Sequence, residues 1–105
     1  MSKMPLLALV SALLVFPAWD ALAEGNASAG QRKSEDCGDC HGPDGAGDGD
    51  TIPRIAGLPV EQFVKAMQDF ESGVRKKSPM MNKQGKKLSD QDVADLAAYY
   101  SNLKP

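Results

Sequence analysis

Two cysteines and a histidine stand within five residues, Cys37-Gly38-Asp39-Cys40-His41, and Gly42-Pro43-Asp44-Gly45 follows at once. On a helix, thiols three positions apart lie one turn apart on one face. Each could add to one vinyl group of a haem lying flat on that face, with His41 reaching the iron. Two thiols in this spacing with a histidine directly after them are the pattern of covalent haem attachment. Other uses of these residues fit less well. A zinc site needs a fourth ligand, and the chain has no second Cys/His cluster. A thioredoxin-like dithiol needs a βαβ setting, and a disulfide closing so short a loop would stabilise little.

The remaining iron position has few claimants. His41 is the only histidine, so a second imidazole cannot come from the same molecule. A thioether would be the natural partner in an electron-transfer haem, and it raises the reduction potential. Met67 falls on the apolar face of an expected helix, where packing is the stronger reading. Met80 and Met81 lie in a polar, basic stretch, where a pair of methionines is otherwise odd. Lys76, Lys77, Lys83 or an open position are the alternatives. With both axial positions filled, no site is left for oxygen, peroxide or substrate. The chain also lacks the spare histidine or Asp–His pairing of a hydrolase or peroxidase. The chemistry expected is therefore single-electron transfer by a non-enzyme.

The elements around the motif begin with an address. Lys3, the apolar run at residues 6–16, Pro17 and then Ala21-Leu22-Ala23 read as a secretory signal peptide over residues 1–23. The run is too short to span a bilayer comfortably. The expected mature chain is residues 24–105, a single domain of 82 residues exported to an oxidising compartment, the periplasm. Its only aromatics are Phe63, Phe70, Tyr99 and Tyr100. So small a domain usually needs a staple or cofactor, and a haem would supply the apolar body its core lacks.

Charge is divided along the chain. Residues 24–50 hold seven acids and two bases, whereas residues 51–105 hold nine bases and six acids. Arg75, Lys76, Lys77, Lys83, Lys86 and Lys87 cluster without an intervening acid, the ordinary composition of a solvated loop. The opposed halves give a dipole able to orient the molecule on a charged redox partner. Nothing in this balance points to nucleic acid.

Local signals place three helices. Asn26 suits the N-cap of a helix from Ala27 to about Cys37. Gly30 inside it costs about 1 kcal/mol relative to alanine, so either a second helix approaches closely or the position is undemanding. Residues 42–50 are a turn-rich loop; Asp44, Asp48 and Asp50 do not keep the spacing of a calcium loop. Pro53 keeps residues 51–57 extended. A second helix begins near Pro59, follows Val60, Phe63, Val64, Met67 and Phe70, and ends at Gly73. Residues 74–87 read as a surface loop. The last helix has Ser89 as N-cap, Asp92 completing a capping box, and Leu88 with Val93 as a staple. Its apolar stripe is Val93, Leu96, Ala97, Tyr100 and Leu103.

These pieces together resemble the class I cytochromes c. The resemblance rests on Ala29-Gly30-Gln31, Cys37-Gly38-Asp39-Cys40-His41-Gly42, Ile52-Pro53-Arg54-Ile55-Ala56-Gly57, Met81 and the stretch from Leu88 to Tyr100. The spacing looks most like one domain of the periplasmic di-haem members, and is similar to the cytochrome subunit of flavocytochrome c sulfide dehydrogenase. The resemblance implies an all-α fold of three main helices around one covalent haem, held by Cys37 and Cys40. It implies His41 and Met81 as axial ligands, with Met80 as fallback, and gives Pro53 the role of orienting the His41 ring. Gly30 and Tyr99 match the place where the terminal helices cross. Two readings of use follow: a free carrier, monomeric and docking acidic partners, or the electron-accepting subunit of a larger oxidoreductase. The chain departs from the pattern in having one haem motif and no tryptophan in residues 24–105.

Overall fold

The computed structural model describes residues 24–105, and every regular element among them is helical. The signal-peptide reading of residues 1–23 lies outside the described residues. Five helices follow in order: α1 Ala27–Lys33, α2 Glu35–His41, α3 Val60–Ser72, α4 Pro79–Lys87 and α5 Asp90–Ser101. No helix among the described residues is long and apolar enough to cross a membrane.

α1 and α2 are nearly one helix with a bend at Ser34. Asn26 caps the start, its side-chain oxygen accepting from the Ala29 N–H at 2.8 Å. At the bend, Ser34 Oγ donates back to the Gln31 carbonyl at 2.7 Å, the kind of local bond that competes with the helical ladder and bends it. The helix resumes as far as His41, beyond the expected end near Cys37. Gly42 stops it with φ +90°.

α3 keeps its expected ends. Pro59 precedes the first turn, and Gly73 closes the helix in the left-handed conformation that glycine adopts at least cost. Phe63, Met67 and Phe70 are buried, whereas Val60 is exposed, so the buried stripe is narrower than the sequence pattern.

The segment expected as a loop over residues 74–87 is in its second half the helix α4. Two features make it helical despite its weak periodicity. Ser78 accepts from the Met81 N–H at 3.2 Å as N-cap, and Pro79 opens the first turn, where its missing N–H costs nothing. The contact face is anchored by Gly85, which is buried although it has no side chain to show in a hydrophobic pattern. A Cβ there would sit 2.9 Å from the Glu71 nitrogen and 3.3 Å from the Met67 carbonyl oxygen, so the backbones of α4 and α3 are in close contact.

α5 crosses α1, and the capping box at Ser89 and Asp92 is formed as expected. The crossing is close enough that a Cβ on Gly30 would collide with the Asp95 carbonyl and come within 2.7 Å of Tyr99 Cβ. This resolves the two readings of Gly30 in favour of close helix approach. Asp95, on the same face of α5, is 3% exposed. Its Oδ1 accepts from the Asn26 N–H and from Gln91 Nε2, both at 2.9 Å, and its Oδ2 pairs with Lys33 Nζ at 2.7 Å. Lys33 also reaches Asp92 at 2.8 Å. Behind this crossing, Phe63, Met67 and Phe70 of α3 pack on Val93, Leu96, Ala97 and Tyr100 of α5. The Phe63 and Tyr100 rings stack at 5.8 Å.

Residues 42–57 wrap from α2 back over α5. Ile55 and Ala56 N–H groups both donate to the Gly45 carbonyl, and the Gly57 N–H donates to the Tyr100 carbonyl at 2.8 Å. Asp48 turns the loop by accepting from the Asp50 and Ile52 N–H groups at 2.9 and 2.8 Å. Among the described residues, no cluster of three or more His, Cys, Asp or Glu side chains could hold a metal ion.

Candidate functional site

A cleft of about 820 Å³ opens between α2, residues 50–55, α3 and α4. Cys37, Cys40, His41, Pro53, Met80 and Met81 all line it, so the two thiols, the histidine and both candidate methionines meet at one place, whereas of the alternative lysines only Lys77 is there. The floor is apolar, built from Ile52, Ile55, Leu58, Phe63, Met67, Phe70, Leu88 and Leu96. Charged side chains also line it, among them Arg54, Lys65, Asp69, Arg75 and Lys77.

The continuation of α2 through His41 puts both cysteines on one helix at a separation of three residues, hence on one side of it. Cys37 is half-buried and Cys40 is exposed. Burial pushes the Cys37 thiol up from its ordinary pKa, and burial does the same to the phenol of Tyr100. Both groups are therefore neutral near pH 7.

His41 is buried, with 7% of its surface exposed. Its Nδ1 lies 2.9 Å from the carbonyl oxygen of Pro53. A carbonyl can only accept, so Nδ1 carries a proton and the neutral ring has its lone pair on Nε2, the tautomer an imidazole needs as a metal ligand. The ring is held without occupying the nitrogen that could bind metal. Pro53 serves this geometry through its carbonyl. Gly47 lets the backbone around it close tightly: its φ is +74°, and a Cβ there would come within 2.7 Å of the Pro53 carbonyl carbon.

The two methionines are distinguished by burial. Met80 is 61% exposed. Met81 is half-buried and packs on the core cluster. Gln84 and Leu88, three and seven residues beyond Met81, also line the cleft, so one stripe of α4 extended into Leu88 faces it. Around the rim, Arg75 stands over the Phe70 ring at 4.5 Å, and Lys65 is occupied with Asp69 at 2.9 Å.

A haem fits these residues. The cleft is mostly apolar, as a porphyrin requires, and Arg54, Arg75 and Lys77 among its lining residues are cations that could meet carboxylates. It joins two thiols at helical spacing to a histidine with a free Nε2, and a thioether comes from a separate helix. The sequence reading missed two structural contributors, α4 as a helix and the buried Asp95. The Ser78-Pro79 pair was the available signal for the first. Asp95 sits amid apolar residues on α5 and had no local signal.

Comparison with known proteins places the chain in a family. Residues 23–104 match the family described as Cytochrome c. The chain is 41% identical over 95 residues to cytochrome c4 of Azotobacter vinelandii, covering 81% of this chain and 44% of that protein. It is 36% identical over 80 residues to cytochrome c-554(548) of Halomonas halodenitrificans, covering 74% of this chain and 96% of the other. Among solved structures, reduced recombinant cytochrome c4 from Pseudomonas stutzeri superposes with a TM-score of 0.68 at 36% identity, over 76% of this chain and 46% of that one. The chain thus spans about half the length, or less, of the cytochrome c4 relatives it matches.

Proposed function

The chain belongs to the cytochrome c family, which carries covalently bound haem c, and from that premise we propose that it is a periplasmic carrier of single electrons with one haem. In this reading residues 1–23 are a signal peptide removed on export, and residues 24–105 are the working domain. Cys37 and Cys40 hold the porphyrin through thioethers. His41 Nε2 and Met81 sulfur are the axial ligands, with Met80 as the fallback.

The bound haem supplies a one-electron couple at its iron, and the thioether–imidazole pair sets that couple high. The protein's own residues do the rest. Pro53 fixes the His41 ring and its tautomer, so the ligand does not reorient between redox states. The apolar lining would keep water from a bound haem, and His41 and Met81 come to the one cleft from two different helices. An electron carrier needs this rigidity, because any rearrangement at the iron adds to the barrier for transfer. The rim cations Arg75 and Lys77, with Lys76 between them, are the docking face for an acidic partner. Lys87 belongs to this face less than its position in the sequence suggests, since it pairs with Asp36 of α2 at 3.3 Å.

The observation that supports the reading best is the convergence of both thiols, the sole histidine and Met81 on one apolar cleft. The test is an absorption spectrum of the chain matured in a cell that attaches haem, taken before and after denaturation. A haem spectrum that stays with the unfolded chain is expected. A chromophore lost on denaturation, or never acquired, would overturn it.

A further inference from the structure

We infer that Asn82 is a positioning residue for Met81, its side-chain amide controlling how readily the methionine leaves the iron. The inference rests on the reading of Met81 as an axial ligand. It starts from a polar contact that neither haem nor core packing requires. Asn82 Nδ2 donates to the Phe70 carbonyl at 2.8 Å and to the Arg75 carbonyl at 2.7 Å, so both of its N–H hydrogens are used.

The two acceptors belong to different segments. Phe70 O is among the last carbonyls of α3, which have no partner within their own helix. Its other contact is the Gly73 N–H at 3.3 Å. Arg75 O lies in the connector between α3 and α4. One amide therefore ties the end of α3, the connector and α4 together, beside Met81. On the N-terminal side, the Met81 N–H is held by the Ser78 cap. Three residues after Asn82, on the same face, Gly85 presses against the backbone of α3.

α4 thus divides its faces. Met81 and Gln84 turn toward the cleft, while Asn82 and Gly85 grip α3. A polar helix of nine residues does not hold itself in water, and α4 adds little apolar surface to the core. Its position depends on this grip. Loss of the Asn82 bonds strips the Arg75 carbonyl of this partner, leaves the Phe70 carbonyl only its 3.3 Å bond from Gly73, and frees the first turn, and Met81 moves with that turn.

The experiment uses the haem-loaded chain in its ferric form and follows the rate at which added imidazole takes the sixth position, which requires the methionine to leave. The weak long-wavelength sulfur–iron band is recorded alongside. Asn82→Ala is expected to speed imidazole binding by about tenfold, the scale of one to two lost hydrogen bonds. Asn82→Asp, of nearly the same shape but without the N–H donors, should behave like Asn82→Ala. Asp95→Asn loosens the distant α1–α5 crossing and should leave the rate at the parent value. A parent-like rate in the Asn82 variants, or an equal acceleration in Asp95→Asn, overturns the inference. Met81→Ala separates its failure from that of the ligand reading. If the band survives in Met81→Ala, the ligand reading falls and takes Asn82's role with it. If the band is lost there but the Asn82 variants exchange like the parent, only Asn82's role falls.

Discussion

Gly30 and Asp95 are in backbone contact where α1 crosses α5, and a methyl group on Gly30 would run into the Asp95 carbonyl. Two effects oppose each other at this site. Alanine would favour the helix by about 1 kcal/mol, but overpacking a close contact costs about 1–3 kcal/mol, and here the obstacle is backbone that cannot swing aside. Packing should win. Gly30→Ala is expected to lower stability by about 1–2 kcal/mol, read as a lower denaturation midpoint with an unchanged slope. A stabilised variant would show that the helices can separate at no cost.

The same crossing holds the buried carboxylate of Asp95. Lys33, and next the Asn26 N–H, lower its pKa to about 2. An unfolded aspartate titrates near ~3.9. The folded value is the lower one, so this group's contribution is fully present above about pH 4 and is lost as the pH falls toward the folded pKa. Asp95→Asn should cost on the order of 1–3 kcal/mol at neutral pH. The gap between parent and variant should narrow between about pH 4 and pH 2. Urea unfolding across that range checks it, and a gap independent of pH would place the loss in packing.

Met80 and Met81 are neighbours in the first turn of α4, but only Met81 packs against the core cluster. Met81→Ala is expected to abolish the long-wavelength band of the ferric protein and to lower its reduction potential. Met80→Ala should leave both unchanged. The reverse pattern would move the ligand by one residue.

Arg75, Lys76 and Lys77 are exposed beside the cleft mouth. Electron transfer to an acidic partner should slow severalfold as ionic strength rises from about 0.01 M to about 0.15 M, because the screening length shortens from about 30 Å to about 8 Å. Changing Lys76 and Lys77 to glutamine should flatten that dependence without altering the spectrum. A parent rate indifferent to salt would remove this face as the docking surface.

Much of this was readable from the chain because the signals are local. Asn26, Pro59, Gly73 and the Ser89–Asp92 box each satisfy or end a helix through neighbours within four residues. α4 was not readable in the same way. Its contact with α3 runs through Gly85 and Asn82, neither of which registers as apolar. The bend at Ser34 was also missed, since a single serine hydroxyl choosing the Gln31 carbonyl leaves no trace in periodicity.

The sequence by itself determined the chemistry on offer: two thiols at helical spacing, one histidine, a pair of methionines and too few aromatics to fill a core alone. Covalent identity and short spacing carry that information, and folding cannot change it. The tertiary structure decided which of these groups meet and how they are aimed. Pro53 lies twelve residues beyond His41, yet its carbonyl sets the imidazole tautomer. Asp95 is 62 residues from Lys33, yet the two form the ion pair that pins the terminal helices. Only one methionine of an adjacent pair packs against the core, because α4 is held to α3 by one glycine and one amide. Such choices depend on contacts between distant segments, which exist only once the chain has closed on itself.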